Sequence, residues 1–204
     1  MSKKINKRAL IIITAVVAVI AIVGGSLAWF VTNTSLSQSL SISGFDVTAD
    51  VYFANGSKKV SASDYKDSDG LYALSLNEND ANYIGNLRVN VGHTGAKSCI
   101  RVKMNYEWTV PGGAVAQHDV CVPYTFGSEW FDNRNTDYCV YYRGADNSGK
   151  ASFNNCELIT GFDKASFDTA GFVDGVSVRV LIQVDGVQVN RYPQLWNIDT
   201  LPWK

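Results

Sequence analysis

The chain has 204 residues, of which 46% are apolar and 18% are charged, a balance that excludes a largely disordered protein. Its first 28 residues contain four basic residues and no acid, which leaves 14 lysine and arginine residues against 19 acids, a formal charge of −5, in the remainder. Nucleic acid is therefore not expected as a partner, because phosphate binding requires clustered cations. About 175 residues without an evident linker suffice for one domain.

Residues 1–28 are predicted to be a secretory signal peptide. A basic start precedes an almost continuously aliphatic run at 10–23, and the small residues Ser26 and Ala28 follow it. This order predicts that a signal peptidase cleaves between Ala28 and Trp29. The alternative is an uncleaved anchor, since the 22 uncharged residues at 9–30 are long enough to cross a bilayer. Residues 29–204 are expected outside the cell in both cases, with membrane contact only through this first segment.

Beyond residue 30 the apolar pattern has a period of two, which indicates β-strands. Within 99–110, for example, Ile100, Val102, Met104 and Tyr106 would share one face of a strand. Turns rich in glycine, asparagine, aspartate and serine separate the runs. The predicted strands are 45–53, 71–76, 87–91, 99–110, 120–126, 138–143, 157–162 and 176–189.

This pattern predicts an all-β antiparallel sandwich at 45–204, preceded by an extended segment at 29–44. A turn is expected at Gly56 and another at Gly70. The Asp185-Gly186 pair is predicted to close a tight hairpin between 181–184 and 187–189. Residues 164–169 are the best candidate for a short helical turn.

The chain has four cysteines, Cys99, Cys121, Cys139 and Cys156, and all lie in the exported part. An even number in such a chain favours two disulfides over a metal site. Three connectivities are possible. Since 120–126 and 138–143 would be hairpin partners around 129–133, the favoured pairs are Cys121–Cys139 and Cys99–Cys156.

No catalytic, cofactor or metal site is predicted, and the chain is not expected to be an enzyme. The two histidines, His93 and His118, are 25 residues apart and are best interpreted as surface loop residues. The sequence contains neither a zinc-binding His-Glu-x-x-His motif nor a Gly-x-Ser-x-Gly nucleophile motif.

Two acidic loops and a group of tryptophans allow two binding functions that are less strongly indicated, for calcium and for sugars. The loops at 64–70 and 132–137 are polar enough to bind Ca²⁺ weakly, although 64–70 lacks the spacing and terminal glutamate of a calcium loop. Plain turns are the preferred interpretation. The tryptophans would form either a sugar-binding platform or, as is usual in a sandwich, part of the core. They are Trp108, Trp130, Trp196 and Trp203.

The stretch at 24–34, Gly-Gly-Ser-Leu-Ala-Trp-Phe-Val-Thr-Asn-Thr, resembles the export signal of the TasA/camelysin family of Gram-positive bacteria. In that family a glycine about fifteen residues after the cleavage site opens the first strand, and Gly44 stands at that place here. Shorter β-patterns at 87–95, at 100–103, from Trp130 to 138–142, and from 182–184 to Trp196 are also similar.

The resemblance implies a jelly-roll-like sandwich, export through a SipW-type signal peptidase, and a structural role at the cell surface or in biofilm-matrix fibres. In fibre-forming members, the segment after the cut acts as a donor strand for the next subunit, a second copy or a related matrix protein. Here that segment is 29–43, with apolar positions at Phe30, Val31, Leu36, Leu40 and Ile42. The peptidase activity of some members is not transferred, because the zinc motif is missing.

Two alternatives remain open for this segment and for the protein. The segment would otherwise be a leader or a first strand folded into its own domain. The protein would otherwise be a monomeric surface adhesin or ligand-binding sandwich.

Overall fold

Strands make up about half of the part of the chain that the computed structural model describes. This part comprises residues 44–109, the backbone of 115–116, and residues 121–168 and 176–204. The predicted signal, the Ala28–Trp29 bond and the segment 29–43 lie outside these residues. No helix in the described ranges is both long and apolar enough to cross a bilayer.

The described ranges contain eleven strands and a few short helices. The strands are β1 (Phe45–Asn55), β2 (Lys58–Ser61), β3 (Tyr72–Leu74), β4 (Leu87–Gly95), β5 (Ser98–Thr109), β6 (Val115–Ala116), β7 (Tyr124–Phe126), β8 (Trp130–Asp132), β9 (Cys139–Tyr142), β10 (Asn155–Phe162) and β11 (Ser177–Gln188). The helices are α1 (Arg134–Asp137), α2 (Lys164–Asp168) and α3 (Tyr192–Trp196), with 3₁₀ turns at Ala62–Tyr65 and Ile84–Asn86. The short helix predicted at 164–169 is confirmed by α2.

The strands form two antiparallel sheets, which confirms the predicted all-β sandwich. The first sheet has the order β2-β1-β4-β10-β7, and the second has the order β3-β11-β5-β9-β8, with β6 beside β5. The turn predicted at Gly56 is confirmed: Gly56 (φ +59°) and Ser57 join β1 to β2. Glycine suits this position because a side chain disfavours a positive φ.

The main core lies between the sheets, and β5 forms its centre. The four residues predicted to share one face of this strand, from Ile100 to Tyr106, are all buried in the main core cluster, as is Trp108. Alternation along the strand places the residues between them on the outer face of the second sheet.

A second, smaller cluster covers part of that outer face. The chain after β11 folds back so that Trp196 and Leu201 pack with Tyr141 and Val187. The rings of Tyr141 and Trp196 meet edge to face with centroids 5.8 Å apart, and the Arg101 guanidinium lies 4.7 Å from the Trp196 ring. The C-terminal segment is thereby attached to the sandwich through aromatic and cation–π contacts.

The hairpin predicted at Asp185-Gly186 is wrong, because β11 runs through both residues without interruption. Gly186 pairs with Ile100 of β5 inside a continuous antiparallel ladder. A Cβ atom at Gly186 would lie 2.7 Å from Val47 Cγ2 and 2.9 Å from Phe45 Cε2, both on β1 of the other sheet. Glycine is therefore needed here for close approach of the two sheets and not for a turn.

We predict that Gly186→Ala lowers the free energy of unfolding by about 1–3 kcal/mol, because the new methyl group overpacks the contact between β1 and β11. Gly161→Ala is the matched control, since a Cβ there would meet only Thr125 at 3.4 Å. The control should change stability by less than about 0.5 kcal/mol. Urea unfolding of both variants measures the difference, and equal stabilities would contradict the proposed close contact.

Candidate interaction site

One long side of the sandwich is only partly covered in the described structure. On the first sheet, β2 pairs with β1 only over the β1 residues Tyr52 to Asn55. Over 45–51, β1 pairs with β4 on one side, and no described strand lies on its other side. Among the described residues, the backbone N–H and C=O groups on that edge therefore have no strand partner.

The second sheet has the same gap on the same side. The short strand β3 pairs with β11 only over Val178 to Val180, so 181–188 has no described strand on that edge. The contact of Gly186 with Phe45 and Val47 places this free edge against the free edge of β1. The opposite side is closed, because the chain passes from β7 on the first sheet to β8 on the second through a turn in which the Trp130 N–H bonds the Gly127 carbonyl at 2.9 Å.

Side chains of β11 are more exposed where no described strand lies on its side away from β5 than where β3 lies there. Val178 and Val180, beside β3, are 1% and 0% exposed. Ile182 and Val184 occupy the same face of the strand and pack against the main core, yet they are only partly buried. Their partners on β5 are fully buried, so the exposure is greater on the side of β11 that faces away from β5.

The same change occurs along β1. Phe53, beside β2, is fully buried, and Val51 is nearly so. Val47 and Ala49 face the core in the same row but are only partly buried, although their partners on β4 are buried. These observations define a lateral groove, lined by Val47, Ala49, Ile182 and Val184 and bordered by the edges of β1 and β11 that have no described neighbour.

The lateral groove is bounded at both ends by other parts of the domain. At one end the chain between β2 and β3 crosses from sheet to sheet, with Ala62 fully buried and Tyr65 edge to face with Phe53 at 5.4 Å. At the other end the sheets approach at Gly186. An apolar lining between two free backbone edges suits an extended peptide with apolar side chains at alternate positions. It offers no group for acid–base or nucleophilic chemistry.

On the closed side of the sandwich, a buried arginine joins the connecting segment to the core. The Arg134 side chain is 4% exposed, and its Nε and one terminal nitrogen each donate to a different Asp132 oxygen at 2.9 Å. The other terminal nitrogen donates to the Val122 carbonyl at 2.9 Å, and the guanidinium lies 4.6 Å from the Phe126 ring. Burial alone would lower the pKa of Arg134, but pairing with Asp132 raises it above the ordinary value.

The structure does not contain the predicted disulfides: none of the four cysteines is linked to another by a disulfide bond. Cys99 and Cys139 are buried in the cluster on the outer face of the second sheet, whereas Cys156 packs against the main core. The second sheet thus separates Cys99 from Cys156. The hairpin expected to join Cys121 to Cys139 does not form, since β7 pairs with β10 in the first sheet and β9 pairs with β5 and β8 in the second.

The buried thiols are in environments that keep them protonated. Burial raises the pKa of Cys99, Cys139 and Cys156 to about 11 in each case. The Cys156 sulfur also accepts a hydrogen bond from Trp130 Nε1 at 3.2 Å and lies 3.6 Å from a Glu129 oxygen. Because the thiolate is the reactive form, none of the three is suited to nucleophilic attack or metal binding near neutral pH.

The interpretation of His93 as a surface loop residue is wrong. His93 is 2% exposed at the end of β4, between the rings of Phe45 and Phe153, and its Nε2 lies 3.2 Å from the Ala96 carbonyl oxygen. Its ring fills the end of the core where β1 begins. His118 lies outside the described residues.

The two acidic loops are held by contacts within the protein. Asp67 accepts hydrogen bonds from the Asp69 and Leu71 N–H groups and from Arg179. Partial burial would raise the pKa of Asp67, but these donors lower it. In the other loop, Asp137 accepts from Tyr141 at 2.5 Å. The described residues contain no group of three or more histidine, cysteine or acidic side chains placed to bind a metal ion.

The tryptophans do not form an exposed platform. Trp108, Trp130 and Trp196 are 1%, 5% and 7% exposed, so the core interpretation is confirmed for these three. Trp203 is partly exposed, and its Nε1 donates to the Asn147 carbonyl at 3.1 Å. A stacked sugar would find no set of coplanar, exposed indoles here.

Comparison with known proteins identifies no relative of this chain. No protein-family model, no curated protein and no solved structure matches the chain. The similarity to the TasA/camelysin family rests on the sequence patterns described above.

We predict that Arg134→Ala lowers the free energy of unfolding by about 2–3 kcal/mol, because it leaves the buried Val122 carbonyl without its charged donor and separates Asp132 from its partner. Arg134→Lys should recover only part of the loss, since an ammonium group cannot reproduce the two-pronged contact. Chemical denaturation measures both. A lysine variant as stable as the parent would contradict a geometric role for the guanidinium.

We predict that iodoacetamide at pH 8 leaves Cys99, Cys139 and Cys156 largely unmodified in the folded protein, whereas all four cysteines react in urea. Since the ordinary thiol pKa of 9.0 rises to about 11 in the fold, the folded state binds more protons between these values. The part of the stability that depends on these thiols should therefore be fully present below pH 9 and be lost as the pH rises through 11. Intact mass spectrometry checks the labelling, and a mass lower by two hydrogens per cysteine pair would contradict the free thiols.

Proposed function

We propose that this protein is an exported structural subunit of a bacterial cell surface or biofilm matrix, and that it assembles by accepting a strand from another copy of itself. The observation that carries this proposal is the lateral groove, where each sheet has, on the same side, an edge with no described strand beside it, and where the lining is apolar. A groove of this kind accepts an added strand through backbone hydrogen bonds, and alternate side chains fill the space between the sheets.

The segment 29–43 has the properties of the incoming strand. It contains no charged residue, so no charge has to be buried in the groove. Its 15 residues extend over roughly 50 Å, and the free edge of β1 at 45–51 needs about 23 Å. Only Gly44 separates the segment from β1, so a subunit that donates it lies next to the subunit that receives it.

The strand order supports the jelly-roll-like arrangement that the family resemblance implies. When β3, β4, β5, β7, β8, β9, β10 and β11 are numbered 1 to 8, the second sheet contains the order 1-8-3-6 and the first contains 2-7-4. This interleaving supports a jelly roll, in which two Greek keys share two sheets. The arrangement differs from a jelly roll at β8, which is strand 5 in this numbering. It would extend the first sheet beside β7, but it pairs with β9 in the second sheet.

Export is proposed from residues 1–28, with cleavage at Ala28–Trp29. No catalytic role is proposed, because the described side chains do not assemble a nucleophile, a base and an anion-stabilising group. A monomeric sugar- or calcium-binding sandwich is less well supported, since the indoles are largely buried and the carboxylates of Asp67 and Asp132 are already paired with arginines.

We predict that the mature chain, residues 29–204, forms multimers or fibres, whereas residues 44–204 remain monomeric. Removing 29–43 deletes the donor strand but leaves the groove intact. Light scattering and electron microscopy measure assembly, and circular dichroism establishes that the shorter chain is folded. Assembly of both chains to the same extent, or dispersed monomers of both under all conditions, would refute strand donation.

A further inference from the structure

We infer that the inserted strand is the part of the segment at 35–43, and that it joins the first sheet at the free edge of β1. This inference rests on the proposed function and specifies its two contacting surfaces. It excludes Phe30 and Val31 from the inserted strand.

The first argument is the alternation of side chains at 35–43. Serine occupies each odd position from 35 to 43, and the even positions are Leu36, Gln38, Leu40 and Ile42. In an extended strand successive side chains point to opposite faces, so all the serines lie on one face and the larger side chains on the other. Before residue 35 this order is lost, because Phe30 and Val31 are adjacent and would point to opposite faces.

The second argument is the match between this strand and β1. Along 45–51 the outward row of β1 is polar and contains Asp46, Thr48 and Asp50, of which Thr48 and Asp50 are exposed. Serines of an added strand would lie beside this row, where hydroxyl pairs and hydroxyl–carboxylate pairs form across strands. The outward row of β11 is less uniform: Leu181 and Val187 are apolar, and of the two polar residues, Gln183 and Asp185, the aspartate is already paired with Arg101.

The third argument is the shape of the lateral groove. Ala49 is the smallest core-facing residue of β1 in the uncovered stretch, and Val47 and Val51 stand on either side of it. Across the groove, Ile182 and Val184 are only partly buried. A leucine from an added strand beside Ala49 would contact all of these side chains, and this is the position that we assign to Leu40 or its neighbour two residues away.

A pair of adjacent lysine substitutions tests the face of the strand that enters the groove. Leu40→Lys places a charge between the sheets and should reduce the multimer fraction at least tenfold. Ser39→Lys introduces the same charge on the opposite face of the strand, beside Asp46 and Asp50. The multimer fraction of this variant should lie within twofold of the parent's. Equal effects of the two substitutions would overturn the assigned face.

A complementation experiment tests whether the lateral groove receives the strand. Assembly of a mixture of two variants would also show that neither variant is misfolded. Ala49→Arg blocks the groove but keeps the donor strand, whereas Leu40→Lys blocks the donor strand but keeps the groove. Each variant alone should be monomeric, and an equimolar mixture should form a dimer with one of each, detected by native mass spectrometry. A mixture that stays monomeric while the parent assembles would overturn the pairing of Leu40 with the groove beside Ala49.

Truncation separates this inference from the proposed function. A chain that starts at Ser35 should assemble like the chain that starts at Trp29. If only the longer chain assembles, strand donation stands and the assignment to 35–43 fails; if neither assembles, both fail. Hydrogen exchange in the multimer locates the edge: amides at 45–51 should exchange at least tenfold more slowly than in the monomer, and protection at 181–188 instead would overturn the choice of β1.

Discussion

The antiparallel ladder between β5 and β11 is the constraint on which the rest of the structure depends. It contains twelve consecutive residue pairs, from Ser98 opposite Gln188 to Thr109 opposite Ser177. A slip of one residue would exchange the core-facing and outward rows of a strand, so this register fixes both faces of the second sheet. It places Ile100 in the main core and Val187 under the C-terminal segment. It also makes β11 much longer than its other neighbour, β3, and this difference in length leaves the edge of the lateral groove uncovered.

The properties that follow from neighbouring residues were predictable from the sequence. The face of β5 that contains Ile100 and Met104 is one example, because alternation in a strand depends only on local geometry and on which face is buried. The turn at Gly56 and the short helix at 164–168 are others. Pairing between distant segments was not predictable in this way. Cys121 and Cys139 lie in successive β-like runs, but those runs belong to different sheets.

Gly186, His93 and the lateral groove also depend on contacts between distant segments, which the sequence pattern did not predict. An Asp-Gly pair between two apolar runs is typical of a turn, and only the approach of Phe45 and Val47 from the other sheet explains why a glycine stands inside β11. His93 is buried because β1 and the Phe153 region cover it, and neither is its neighbour in sequence. Val47, Ala49, Ile182 and Val184 were recognisable as core-facing strand residues. Their partial exposure depends on where β2 and β3 end, which the alternating pattern does not encode.

The position of β1 determines how the domain would respond to tension. This strand is the first of the fold, and it is held to β4 by nine consecutive antiparallel pairs from Phe45 to Phe53. A force applied at Gly44 along the axis of β1 would load the hydrogen bonds of that ladder together in shear and would not peel them apart singly. The C-terminal segment is held by side-chain contacts, among them those of the Trp196 and Trp203 rings with Tyr141, and not by a strand ladder. The two ends of the domain should therefore differ in mechanical strength, and the stronger end is the one through which neighbouring subunits would be joined.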